Sequence, residues 1–252
     1  MLFNNCGISG DQLAVILEGA AKMKDFKALI YKMNLISSLA IEKLIPVIQK
    51  PIPNHLEELA IIDCKMTATQ VEQLMDGLID NHARLKKLTL VNAHHTERSF
   101  EKIVEFISGS ALLKELDLSW SGVRPSLMLK LLQAISSNRF LTQLSLSNNV
   151  LLEEQPTSLT AQQIIDGKTE VELTSFNLEV VTCFKDFIKY NIFLVHLNLE
   201  YCGLIGPAIK YIAALLRKSQ ALRCLHLCGN TGVNDEMVEW VKTRIHARVL
   251  DK

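Results

Sequence analysis

The sequence predicts an α/β solenoid, with short parallel strands along one face and helices along the other. Three observations predict it. A frame of nine residues, Leu-x-x-Leu-x-Leu-x-x-(Asn, Cys, Ala or Ser), starts at Leu56, Leu85, Leu113, Leu141, Leu194 and Leu222, and Phe26 opens a degenerate copy with Leu29, Tyr31 and Asn34 at its key positions. Successive starts lie 30, 29, 28, 28, 53 and 28 residues apart. Between the frames, apolar residues recur at helical spacing. A unit of about 28 residues holding one strand and one helix cannot bury its own apolar face, so neighbouring copies must supply the other half of the core.

Within each frame the leucines alternate with other residues over five positions, the period of a strand with one buried face. The stretches between follow i, i+3, i+4 spacing: Leu13, Ile16, Leu17 and Ala20; Val71, Leu74, Met75 and Leu78; Leu131, Leu132 and Ile135; Ile209, Ile212, Ala213 and Leu216. These predict helices packed behind the sheet. Ser99, Ser126 and Asn234 are candidate helix caps, Pro207 suits a first helical turn, and residues 234–249 form a C-terminal helix. Parallel strands stacked on parallel helices curve into a horseshoe, with strands on the concave face and helices on the convex face.

With Leu113, Leu116, Leu118 and Ser121 in one copy and Leu194, Leu197, Leu199, Cys202 and Leu204 in another, the chain resembles ribonuclease-inhibitor-type leucine-rich repeats. The likeness covers nearly the whole chain except residues 152–179. It implies a single leucine-rich repeat domain over residues 1–252. For function it implies little, because that class includes inhibitors, GTPase activators, actin-regulating scaffolds, innate-immune sensors and ciliary proteins.

Two places depart from the repeat. Met1–Gly10 matches Leu197–Gly206, with Cys6 on Cys202 and Gly7 on Gly203, so the chain begins inside a strand without a polar cap. Either a longer N-terminal part lies outside this chain or a partner covers that end; the capping requirement favours part of a longer protein. The long interval from Leu141 to Leu194 holds 25 residues more than one repeat. Residues 152–179 read as an irregular insertion or a degenerate repeat: Glu153–Ser158 a polar loop, Val171–Leu173 a short strand, and Val180–Tyr190 a helix with Phe184, Phe187 and Ile188 inward. A solvated insertion is the plainer reading, and a partner-contacting loop the sharper one.

Composition narrows the function. Hydrophobic residues make up 48% of the chain, ample for a packed core. Lys plus Arg equals Asp plus Glu at 27 each, so no global field draws nucleic acid or an anionic membrane. No apolar run spans a bilayer, since Tyr201–Leu216 is broken by Pro207 and Lys210, and Met1–Leu13 lacks the pattern of a secretory signal. A soluble, cytoplasmic protein with reduced cysteines is expected, with Cys6, Cys64 and Cys202 at ninth frame positions.

The residues between the leucines line the concave face. Trp120 and Tyr201 are the expected anchors for a partner, because aromatic rings in a polar field carry much of an interface's binding energy; the plainer reading has each ring leaning on its neighbouring strand. Glu115, Asp117 and Glu200 add acidic groups, and Asn148 and His196 complete the expected partner-binding set. Solvated surface charge is the commoner reading of the acids. Cys224, His226 and Cys228 share a strand face beside His196, but i, i+2 side chains lie nearly 7 Å apart, too spread for one tetrahedral metal. No metal site or cofactor is expected.

No phosphate loop, nucleophile elbow or His-Glu-x-x-His occurs, and no catalytic residue is assigned. The His94–His95 pair reads as solvated loop, and Asp76, Asp80 and His82 as surface groups near a helix end. The expected function is a non-enzymatic protein–protein interaction module or scaffold binding a protein partner on its concave face. The alternatives are a regulatory subunit such as a GTPase activator, or a structural repeat of a cytoskeletal or ciliary assembly.

Overall fold

The computed structural model describes residues 1–51, 55–80, 83–122, 124–136, 138–154, 172–216, 219 and 221–250, with backbone alone for 215–216 and 244–250. Among these, strands alternate with helices: β1 (Leu2–Asn4), α1 (Gly10–Lys22), β2 (Ala28–Lys32), α2 (Ser38–Ile48), β3 (Glu58–Ile62), α3 (Ala68–Asp80), β4 (Lys87–Val91), α4 (Glu97–Gly109), β5 (Glu115–Asp117), α5 (Pro125–Ser136), β6 (Gln143–Ser145), α6 (Ser175–Tyr190), β7 (His196–Asn198), α7 (Gly206–Leu216), β8 (Cys224–His226) and α8 (Asp235–Leu250). The strands follow chain order in the sheet, and each described pair is parallel. Two compact units emerge: Met1–Val123 with Phe140–Leu146, and Arg124–Arg139 with Ser147–Lys252. Among the described residues no helix is long and apolar enough to cross a membrane.

In the first unit the leucine rows pair as the frame spacing requires. Leu29, Leu59, Leu88, Leu116 and Leu144 sit opposite one another across β2 to β6, and all are buried. Tyr31 fills a leucine position in the degenerate copy. Its ring packs edge-on to Phe3 at 6.2 Å, and its hydroxyl donates to the carbonyls of Leu35 at 2.7 Å and Ile8 at 3.1 Å. A buried phenol is tolerable because its polar tip is satisfied.

Helix α1 opens with a capping box between Ser9 and Gln12, and α2 is capped by Ser37. At α4 the cap is Thr96, not Ser99; Ser99 is the reciprocal partner at the third helical position, which the sequence pattern alone does not separate from a cap. Val71, Leu74, Met75 and Leu78 are buried as expected, whereas in α1 Ala14 is buried with Leu13, Leu17 and Ala20, and Ile16 sits half-exposed.

In the second unit α5 starts at Pro125, so Ser126 lies inside the first turn and does not cap it. Asn234 does cap α8, accepting from the Met237 N–H at 2.8 Å, and Pro207 lies in the first turn of α7. Helix α6 begins earlier than its apolar spacing suggests because Thr174 caps it, accepting from the Asn177 N–H at 3.2 Å; Val180, Val181, Phe184, Phe187 and Ile188 are its buried stripe. Glu172 and Leu173 have no regular structure, contrary to the expected short strand, and Val171 lies outside the described residues, as do 155–158 of the expected polar loop.

The ninth frame position locks adjacent coils. Asn230 uses all four of its hydrogen-bonding valences: its amide donates to the carbonyls of Leu199 and Leu227, both at 2.8 Å, and its oxygen accepts from the N–H groups of Cys202 at 2.8 Å and Leu204 at 2.9 Å. Asn34 repeats the pattern in the first unit with Lys32, Phe3, Cys6 and Ile8. Where cysteine takes the position the bridge is reduced: the single thiol proton of Cys64 is shared between the carbonyls of Ile62 and Tyr31. Burial pushes the Cys202 thiol up to about 12, and all six cysteines are free.

Candidate functional site

The eighth frame position has one backbone conformation throughout. Asn5, Met33, Asp63, Asn92, Trp120, Asn148, Tyr201 and Gly229 all have positive φ, between 48° and 72°. The chain turns away from the strand here, in the left-handed region that Gly, Asn and Asp enter most easily and that bulky side chains avoid. Five of the eight are those residue types, a signal legible in the aligned frames. Met33, Trp120 and Tyr201 are the exceptions, and all three are exposed.

Trp120 and Tyr201 therefore lie on the turns following β5 and β7, not on the strands. Trp120 has φ 59° and is 59% exposed; Tyr201 has φ 53° and is 60% exposed. Their settings differ. Tyr201 lies against the next turn: any side-chain carbon at Gly229 would collide with its ring, and its N–H donates to the Cys228 carbonyl at 2.9 Å. The plainer expectation, a ring leaning on its neighbour, describes Tyr201.

The expected acidic patch is largely engaged within the first unit. Lys87 bridges Glu58 at 3.4 Å and Glu115 at 3.0 Å, and the Glu115 hydrogen bond raises the Lys87 pKa. Asp117 accepts from the N–H of Ser119 at 3.0 Å and from its hydroxyl at 2.5 Å, holding the chain as it turns toward Trp120. Ser119 in turn meets Ser145 at 2.9 Å. Asp117 is thus a positioning group for the turn. The mid-strand positions Ala60 and Thr89, expected on the wet face, are buried in the middle of the five-residue strands β3 and β4.

In the second unit Asn148, His196, Glu200 and Tyr201 are brought together. The Asn148 N–H donates to the Glu200 carbonyl at 2.9 Å, and the Glu200 N–H is held by Asn198 at 3.0 Å. His196 packs on His226 with ring centroids 4.7 Å apart, and His226 Nδ1 lies 3.9 Å from Glu200. Among the described residues no three of His, Cys, Asp and Glu are arranged to hold a metal ion.

His95 departs from the solvated-loop expectation. Both ring nitrogens are closed to solvent, and the ring meets Phe100 edge-on at 5.6 Å. Burial, and to a lesser extent His94, pushes its pKa down to about 4. Below pH 6.5 the unfolded chain takes up a proton that the folded one refuses, so stability present at neutral pH is lost as pH falls from about 6.5 toward 4. We predict a loss on the order of 2 kcal/mol over that range, read as a falling urea midpoint and flattened in His95→Phe. Of the helix-end trio, Asp76 pairs with Lys102 at 2.6 Å, Asp80 is exposed, and His82 lies outside the described residues.

No family model matches this chain, and a search of curated proteins finds none similar to it.

Proposed function

We propose that this protein is a non-enzymatic interaction module, a cytoplasmic leucine-rich repeat horseshoe of the ribonuclease-inhibitor type, whose concave sheet face binds a protein partner through Trp120. The observation that carries the reading is the energetic position of Trp120. Its left-handed backbone costs about 1 kcal/mol or more for a bulky residue, while its exposed ring recovers little of the burial that would offset it. Stability alone favours Asn, Asp or Gly there, as at Asp63 and Asn92 in the same rows. A rigid, exposed aromatic is what a binding anchor requires. Asp117 braces the turn that carries it, and Glu115 at the start of the same strand is held in an ion ladder, which supports a preorganised surface.

Trp120→Asn tests this, because asparagine accepts the backbone and removes only the ring. Its melting temperature should match or exceed that of the parent, while affinity for a captured partner falls by about 2 kcal/mol or more. Equal affinity with intact stability overturns the assignment of Trp120 as the anchor.

A further inference from the structure

Met33 carries the same backbone cost as Trp120, and the proposed role of Trp120 does not absorb it. Its φ is 53° and its side chain 49% exposed, so a long apolar chain occupies a left-handed turn that Asp63 and Asn92 hold more easily in the next two coils.

The turns that carry Met33 and Trp120 belong to one row within the first unit. The N–H of Met33 donates to the Ile62 carbonyl at 2.9 Å, that of Asp63 to Val91 at 3.1 Å and that of Asn92 to Ser119 at 3.1 Å. The parallel register of β2 to β5 thus runs on through the eighth frame position. Met33, Asp63, Asn92 and Trp120 are therefore successive neighbours, all exposed and all left-handed, which aims their Cα–Cβ bonds alike. The two apolar side chains end the row. A polar pair fills it, since the Asn92 amide donates to the Asp63 carboxylate at 3.1 Å.

Charge selects no occupant, because from the fifth to the tenth frame position these four coils carry Lys32 and Lys65 against Asp63 and Asp117. Spacing does select one. Three strand steps of about 4.8 Å set Met33 and Trp120 about 14 Å apart. In an extended chain residues i and i+4 lie about 13 Å apart on one face. In a helix the same distance takes about nine residues, which turns the second side chain to the opposite face. An extended segment reaches both anchors and a helix does not. Strands β2 to β5 are each paired on both sides, so the segment crosses the turns and does not join the sheet. With one N–H given to Asp63, the Asn92 side chain keeps a donor and an acceptor, the complement of a peptide group.

We infer that this row of turns binds an extended peptide segment with two bulky apolar residues four positions apart, one against Met33 and one against Trp120, and the peptide group between them on Asn92. The inference rests on the proposed role of Trp120 as an anchor and adds the partner's conformation and spacing.

The test uses the full chain and a fluorescein-labelled peptide of about nine residues, built from threonine and serine to favour extension, with two phenylalanines four positions apart. A control of the same composition has them three positions apart, on opposite faces. Anisotropy should show the first binding with a Kd below about 1 mM and the control about tenfold weaker. Met33→Asn and Trp120→Asn keep the turn and should each weaken the first peptide about tenfold. Asn92→Gly also keeps the turn and should weaken it several-fold, with the melting temperature of each variant checked. Equal binding of the two peptides overturns the extended spacing. A loss in Trp120→Asn with none in Met33→Asn overturns the two-anchor row and leaves Trp120 as an anchor. Unchanged affinity in Asn92→Gly overturns the peptide-group contact. Absence of binding by the first peptide overturns the inference altogether, and the interaction role is then judged separately by loss of a captured partner in Trp120→Asn.

Discussion

Leu116→Ala is expected to lower the unfolding free energy by about 2–5 kcal/mol. Leu116 is buried and lies in register between Leu88 and Leu144, so it packs on coils on both sides as well as on its own helix layer. Alanine leaves a cavity that neither neighbour can fill without leaving its own row. In an array whose stability is a sum of units and nearest-neighbour contacts, one lost layer weakens two interfaces. Urea denaturation followed by circular dichroism reads the effect. Gln143→Ala, one residue from the same row but on the exposed face, should stay within about 0.5 kcal/mol. A tolerated Leu116→Ala contradicts the proposed core register.

Asn230→Ala should cost about 3–5 kcal/mol by a different route. The side chain is small, and little apolar contact is lost. What remains is two carbonyls and two N–H groups in a closed space, each deprived of its partner. The graded series separates this from simple cavity formation. Asn230→Cys keeps a donor, as Cys64 does at the same frame position, and should be milder than Asn230→Ala. Asn230→Asp keeps the acceptor and loses both donors, and should fall between them at neutral pH or below alanine if its charge is buried. Equal melting temperatures across the series contradict the bridging role.

Much of the fold was legible because leucine rows are repeated chemistry. Periodic Leu at the fourth and sixth positions states burial directly, and the register of Leu59, Leu88 and Leu116 follows from the spacing alone. Helix starts were less legible. Ser99 looks like a cap, but the cap is Thr96, since in this capping box the third helical position is itself a hydroxyl residue and sequence cannot rank the two. The acidic groups were misjudged in emphasis for a similar reason. Glu115 and Asp117 read as free surface charges until Lys87 and Ser119 are found beside them, and those neighbours come from across a strand or around a turn.

By itself the sequence determined the repeating strand and helix unit, because each unit's apolar half can be satisfied only by another copy. It also determined that the leucine rows of the strands are buried, since any other register would expose them. Only the tertiary structure decided what the remaining side chains do. The left-handed turn after each strand, the closure of Ala60 and Thr89, and the contact of the exposed Tyr201 ring with the turn at Gly229 depend on which coil lies alongside. Burial of a leucine is a property of the residue, whereas the role of a surface ring is a property of its neighbours.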